Sequence, residues 1–153
     1  MSRRSNRTRA AEPAPVTAPA ASDGSVPCPC GLPAAYADCC RRLHRGEAQA
    51  ATAEQLMRSR FSAFVVNDGA YLLRSWHPRT RPAVVDFDAG LHWRRLEILG
   101  STEGGAFHQE GTVEFVAHYV EQNLDGRLHE KSRFVRHEGA WVYLDGVITP
   151  TQA

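Results

Sequence analysis

Thr112-Val113-Glu114-Phe115-Val116-Ala117-His118-Tyr119-Val120 has a period of two, with Val113, Phe115, Ala117 and Tyr119 alternating against Thr112, Glu114, Val116, His118 and Val120. Side chains along a strand point to opposite faces in turn, so the stretch reads as a strand, and neither of its faces is strongly polar. That suits a curved sheet wrapped around helices, which leaves room for a pocket. Working outward, the same period covers residues 93–102, 110–121, 127–137 and 140–148. Glu103-Gly104-Gly105, Asn123-Leu124-Asp125-Gly126 and Glu138-Gly139 interrupt it with turn chemistry, and Asp145-Gly146 reads as a turn as well. The expected sheet is a four-stranded antiparallel meander.

Upstream of His92 the period is helical. Thr52 and Gln55 fit a capping box, and Met57, Phe61, Phe64 and Val65 recur at near-helical spacing with Leu56 beside them, which leaves Arg58 and Arg60 off that face. Asn67-Asp68-Gly69 closes this helix with residues that tolerate left-handed backbone. A second helix over residues 70–76 places Tyr71, Leu72, Leu73 and Trp76 before Pro78 stops it, and a third short helical turn is expected over 82–87. Helices followed by a meander make an α+β fold, with the helices covering one face of a curved antiparallel sheet.

All four cysteines lie further upstream, in Cys28-Pro29-Cys30-Gly31-Leu32-Pro33-Ala34-Ala35-Tyr36-Ala37-Asp38-Cys39-Cys40, as two close pairs separated by eight residues. Zinc takes four thiolates tetrahedrally at about 2.3 Å, and this spacing supplies them if the loop between the pairs folds back. Pro29 stiffens the first pair, and Gly31 can take the positive φ that a tight loop requires. Cys39 and Cys40 are adjacent, so they share a metal only where a local turn redirects one of them. A vicinal disulfide and a thiol redox pair are the competing readings.

A chain of 153 residues is one ordinary domain with an accessory piece, and a net charge of +1 points neither to general nucleic-acid affinity nor to an acidic partner. No specific DNA binding is expected. Residues 1–26 are rich in Ala, Pro, Ser, Thr and Arg with almost no large apolar side chain, which reads as a disordered tail. Its Arg3, Arg4, Arg7 and Arg9 are followed by no continuous apolar stretch, so nothing resembles a signal peptide. No run approaches the ~20 apolar residues of a membrane span. The expected location is the cytoplasm, without membrane attachment.

With Gly31 after the second cysteine and Tyr36 three residues before the third, the cysteine pattern resembles the SEC-C motif, found at the carboxyl end of the bacterial preprotein translocase motor and in many small bacterial proteins. That resemblance implies that Cys28, Cys30, Cys39 and Cys40 are all ligands of one structural zinc. The motif's usual Gly-Ser-Gly-Lys is replaced here by Gly31-Leu32-Pro33-Ala34. Further on come Thr-Ala-Glu-Gln-Leu-Met-Arg-Ser-Arg-Phe-Ser-Ala-Phe from Thr52 to Phe64, Trp76-His77-Pro78, and His129-Glu130-Lys131-Ser132-Arg133-Phe134. With these, residues 28–147 are similar to the YchJ-like family of bacterial proteins. The larger domain of that family resembles the nuclear-transport-factor-like, or cystatin-like, cone. The implied organisation is a tail over 1–26, a SEC-C zinc knuckle over 27–46 and the cone over 50–150.

Cones of this class hold small ligands or catalyse proton transfers between helix and sheet. Candidate cavity residues are Trp76 and His77 at a helix end, Trp93 opening the first strand, and Glu114 and His118 sharing a strand face. Glu130 and Ser132 share another face, although Glu130 beside Lys131 reads as a solvated edge. No residue is assigned as catalytic, since the sequence has no glycine-rich phosphate loop, no HExxH helix and no GxSxG elbow. Arg41, Arg42 and Arg45 form a basic run past the last cysteine, either a docking surface or a solvated helix end. The expected function is a zinc-binding cytosolic accessory protein whose knuckle docks on a protein or ribosome, with a cone that takes a small molecule. The alternatives are an isomerase or dehydratase working in the cavity, and a thiol redox protein. Four thiolates leave a zinc no open position, so the metal is expected to be structural, and loss of a knuckle thiol to spare the larger domain.

Overall fold

The computed structural model describes residues 26–150. The expected tail lies outside the described residues except for Val26, whose carbonyl accepts the Tyr36 N–H at 2.7 Å. The helices are α1 (Cys40–His44), α2 (Ala53–Val66) and α3 (Gly69–Arg74), followed by β1 (Leu91–Glu103), β2 (Glu110–Glu121), β3 (Leu124–His137) and β4 (Ala140–Thr149). The strands pair antiparallel in the order β1-β2-β3-β4, the meander that the alternation predicts.

Local chemistry fixes the ends of α2. Thr52 Oγ1 accepts the Gln55 N–H at 3.0 Å, and Gln55 Oε1 reaches back to the Ala51 N–H at 2.7 Å, one residue short of a reciprocal capping box. Asn67 closes the helix in the left-handed region at φ 60, and Asp68 then caps α3 by accepting the Tyr71 N–H at 3.0 Å. The third helical turn expected over 82–87 does not form. Val84-Val85 is β-branched and a poor helix former, and the segment is placed instead by Phe87, whose ring packs edge-on against Phe64 at 6.2 Å.

Two expected turns lie within strands. Gln122 and Asn123, at φ 53 and 65, make the β2–β3 turn, so Asp125 and Gly126 belong to β3 opposite Val120 and Tyr119. Asp145-Gly146 sits inside β4, opposite Arg133 and Ser132. Register shifts leave Arg94 and Leu99 in β1, and Leu144 in β4, as extra residues on the two edge strands. Such bulges increase local twist and curl the sheet around α2. Ala53, Leu56, Met57 and Phe61 of α2 meet Leu96, Val113, Phe115, Ala117, Phe134 and Trp141 of the sheet to form the core.

The knuckle is built into this body rather than hung from it. A helix as short as α1 cannot hold itself together, and Leu43 buries its side chain among Ala63, Tyr71 and Leu72. His44 Nε2 donates to the Ser59 carbonyl at 2.8 Å, which leaves Nδ1 to accept from the Tyr36 hydroxyl at 2.7 Å. Arg74 Nη2 donates to the His44 carbonyl at 2.6 Å, supplying the cation that the end of α1 requires. These contacts argue against the expectation that loss of a knuckle thiol spares the larger domain. Past α3, the His77 N–H donates to the Tyr143 carbonyl at 2.8 Å and the Tyr143 N–H to the Ser75 carbonyl at 2.9 Å, so Ser75-Trp76-His77 clasps the edge of β4. Among the described residues, no helix is long and apolar enough to cross a membrane.

Candidate functional site

Two polar sites flank α2. On the knuckle side, the Cys28 N–H donates to the Ala34 carbonyl at 2.9 Å, folding the loop back, and Gly31 turns it at φ 94. Cys39 has irregular backbone, φ −126 and ψ −111, immediately before α1 begins at Cys40. This is the local turn that the adjacent pair requires. All four Sγ atoms lie within 4.8 Å of one another, and Cys30 and Cys39 are 3.7 Å apart. A tetrahedron with metal–sulfur bonds of about 2.3 Å has an edge of about 3.8 Å, so the cluster has the dimensions to hold one metal ion.

The donor chemistry agrees. Hydrogen bonds from the Cys30 and Cys40 thiols hold Cys28 below the usual thiol range, whereas burial pushes Cys39 up to about 12, and hydrogen bonding with Cys28 and Cys30 raises Cys40. Crowded thiols cannot all ionise alone, and a cation removes that conflict. The surroundings come from α2: Ser62 Oγ lies 3.6 Å from Cys28 Sγ, and Arg58 Nη1 donates to the Cys30 carbonyl at 2.7 Å while its Nε binds Glu54. Of the basic run, Arg45 is exposed, whereas Arg41 and Arg42 are half-buried and the Arg42 Nε is sealed in without a partner.

On its other side, α2 faces a cavity of about 220 Å³. Met57, Arg60, Phe61 and Phe64 line it, spaced i, i+3, i+4 and i+7 along the helix, so Arg60 belongs to the inward stripe and not off it as expected. Only 4% of Arg60 is exposed. Its Nη1 donates to the Leu72 carbonyl at 2.9 Å and to Ser75 Oγ at 2.7 Å, and its guanidinium meets the rings of Trp76 and Tyr143 at 4.8 and 4.7 Å. Burial lowers it to about 10, so it is still a cation at neutral pH.

Glu130 shares the cavity and is 9% exposed, which corrects its reading as a solvated edge. It pairs in register with inward-facing Phe115, and the period of two therefore carries it and Ser132 inward. Its Oε2 accepts from Ser132 Oγ at 2.8 Å and from the Tyr143 hydroxyl at 3.0 Å. Burial, and then Glu130, push the Tyr143 phenol well above its ordinary range. Gly146 makes room for the carboxylate, because a Cβ there would overlap it.

Trp76 and Trp93 line the cavity; His77, Glu114 and His118 lie outside it. Val113, Phe115 and Ala117 point inward, so Glu114 and His118 face the other way, binding His129 at 2.7 Å and Glu97 at 3.1 Å. His77 meets the His137 ring edge-on at 5.0 Å, where burial and that neighbour lower it. Arg60 and Tyr143 were missed as site residues, although an arginine in register with Met57, Phe61 and Phe64 was a legible signal for the first.

Residues 52–146 match the family model described as the middle, NTF2-like domain of YchJ. A UPF0225 protein of Streptomyces avermitilis is 55% identical over 143 residues, covering 94% of this chain and 96% of the relative, and one of Corynebacterium glutamicum is 49% identical over 119 residues, covering 78% and 94%. Among solved structures, a SEC-C motif containing protein from Rhodopseudomonas palustris superposes with a TM-score of 0.70 at 32% identity, covering 80% of this chain and 98% of its own. Another from Psychrobacter arcticus gives 0.66 at 27% identity, covering 86% of each chain. With an NTF2-like cone behind a four-cysteine cluster, the chain belongs to the YchJ-like, UPF0225 family of bacterial proteins.

Proposed function

We propose that this is a small-ligand-binding protein whose cone is held in shape by one zinc ion in the knuckle. Four thiolates are the donor set zinc favours, and four close its coordination shell, so the metal is structural and offers substrate no open position. Ligand binding belongs to the cone. The observation that carries this reading is a cavity walled by Phe61, Phe64, Trp93 and Phe115 that contains a buried guanidinium and a buried carboxylate not paired with each other. A buried unpaired charge is costly, and natural cavities that keep one are sites of recognition. The tie of Glu130 to Ser132 and Tyr143 suits a fixed acceptor better than a base that must move a proton. Of the three arginines behind the docking reading of the knuckle only Arg45 is fully exposed, and the cavity carries more.

Trp76 and Trp93 report on the test. Small aromatic fragments at millimolar concentration are expected to shift their fluorescence saturably, and Ala117→Leu, which fills the cavity, to abolish the shift. A full fragment series without response, on protein holding one zinc with its thiols protected, would remove the reading.

A further inference from the structure

We infer that the cone's ligand is an uncharged, planar, single-ring molecule carrying an amide, a carboxamide or lactam, which Arg60 and Glu130 recognise as a pair. This rests on the ligand-binding reading above and names its chemical class.

Size comes first. A protein cavity of about 150 Å³ holds benzene, so one of about 220 Å³ holds about nine non-hydrogen atoms, one ring with a small substituent. Shape follows from Phe61, Phe64, Trp93 and Phe115, whose rings favour a flat guest.

Polarity then selects the substituent. Both hydrogen bonds of Arg60 run from Nη1, so its Nη2 donors are uncommitted. Both hydrogen bonds of Glu130 end on Oε2, so its Oε1 acceptor is uncommitted. No ion pair joins the two residues; Tyr143 stands between them, its ring face against Arg60 and its hydroxyl on Glu130. The cavity is thus lined by a cation and a carboxylate held apart, with the Trp76 Nε1–H as a second donor, buried without a partner, and a guest that satisfies both signs must itself accept and donate. An amide does so with its C=O toward Arg60 and its N–H toward Glu130. A carboxylate would satisfy Arg60 and confront Glu130, an amidinium would do the reverse, and a hydrocarbon would leave both unmet.

The experiment titrates benzamide, toluene and benzoate into the full-length, metal-loaded chain by calorimetry and tryptophan fluorescence. Benzamide is expected to bind about tenfold or more tightly than either of the others. Glu130→Gln then inverts one preference: the hydroxyls of Ser132 and Tyr143 keep the oxygen of the substituted side chain in the Oε2 position, so its NH2 faces the cavity where the amide N–H needs an acceptor. Benzamide weakens about tenfold and benzoate tightens. Toluene or benzoate binding the wild-type chain as well as benzamide overturns the amide assignment while leaving a ligand-binding cone. No binding by any of the three overturns the amide assignment, and a silent fragment series beside it removes the ligand-binding cone as well. Should the variant not fold, the wild-type ranking decides alone.

Discussion

The two sides of α2 bury polar groups in opposite ways. On the knuckle side the four sulfurs lie within 4.8 Å of one another, so the cluster is closed on itself with the dimensions to hold one ion. On the cone side Arg60 and Glu130 each hydrogen-bond the protein through one atom, and both line the cavity. A closed set of donors stabilises and, on the proposed reading, an open set selects. One helix of fourteen residues serves both, with Arg58 and Ser62 toward the cysteines and Met57, Arg60, Phe61 and Phe64 toward the cavity.

The largest effect should come from opening the closed side. Structural zinc sites are worth on the order of 10–16 kcal/mol of apparent binding free energy, much of it expressed as folding. With the proposed zinc in place, stripping it with a chelator, or replacing fully buried Cys30 with Ser, is expected to release α1 and with it Leu43 and His44 from their seats on α2 and α3. We expect one cooperative thermal transition for the whole chain, lowered by about 10 °C or more on chelation. A cone that melts unchanged while the knuckle unravels would show that α2 separates the two sides rather than joining them.

The meander, α2 and the cysteine cluster were legible because each follows one local rule: a period of two, a capped period near 3.6, and a thiol spacing. The cavity's polar end was not, because it depends on register between elements. The spacing of Arg60 puts it in the apolar stripe, yet a cation there contradicts the usual composition of that stripe, and the composition prevailed over the geometry. Asp145-Gly146 and Asp125-Gly126 have the chemistry of a hairpin turn, but a glycine within a strand can equally mark a close approach. Only the pairing of β4 with β3 reveals that Gly146 lies beneath Glu130. Glu114 and His118 were placed on one face correctly, and only the packing of Phe115 on α2 settles which face is inside.

Closing the open side should cost less. Gly146→Ala puts a methyl where the Glu130 carboxylate lies and must displace it from Ser132 and Tyr143. Overpacking of this kind costs about 1–3 kcal/mol, read as a lower denaturant midpoint with zinc content unchanged. Glu130→Ala in the same chain removes the overlap, so the double variant is expected to be more stable than the sum of the single effects allows. Strict additivity would mean that Gly146 and Glu130 are not the contact that shapes the cavity.

The smallest effect isolates what exposure does to the same chemistry. Arg133 and Asp145 form a guanidinium–carboxylate pair on the outside of the sheet, joined at 2.7 and 2.6 Å with both side chains largely in water. The Arg133 hydrogen bond holds the Asp145 carboxyl below its ordinary range. A lowered carboxyl contributes stability that is present above the unfolded carboxylate range and lost as pH falls through the folded value, so the contribution should disappear on acidification and be absent from Arg133→Gln at every pH. Water and salt screen such pairs to about 0.2–1 kcal/mol, and a double-mutant cycle with Asp145→Asn at neutral pH should return a coupling of that size. Arg60 and Glu130 share these functional groups with the screening removed and the mutual contact withheld. If the exposed pair is worth only a few tenths of a kcal/mol even with two direct hydrogen bonds, the buried groups owe their place to their separate hydrogen bonds with the protein and, on the proposed reading, to a ligand.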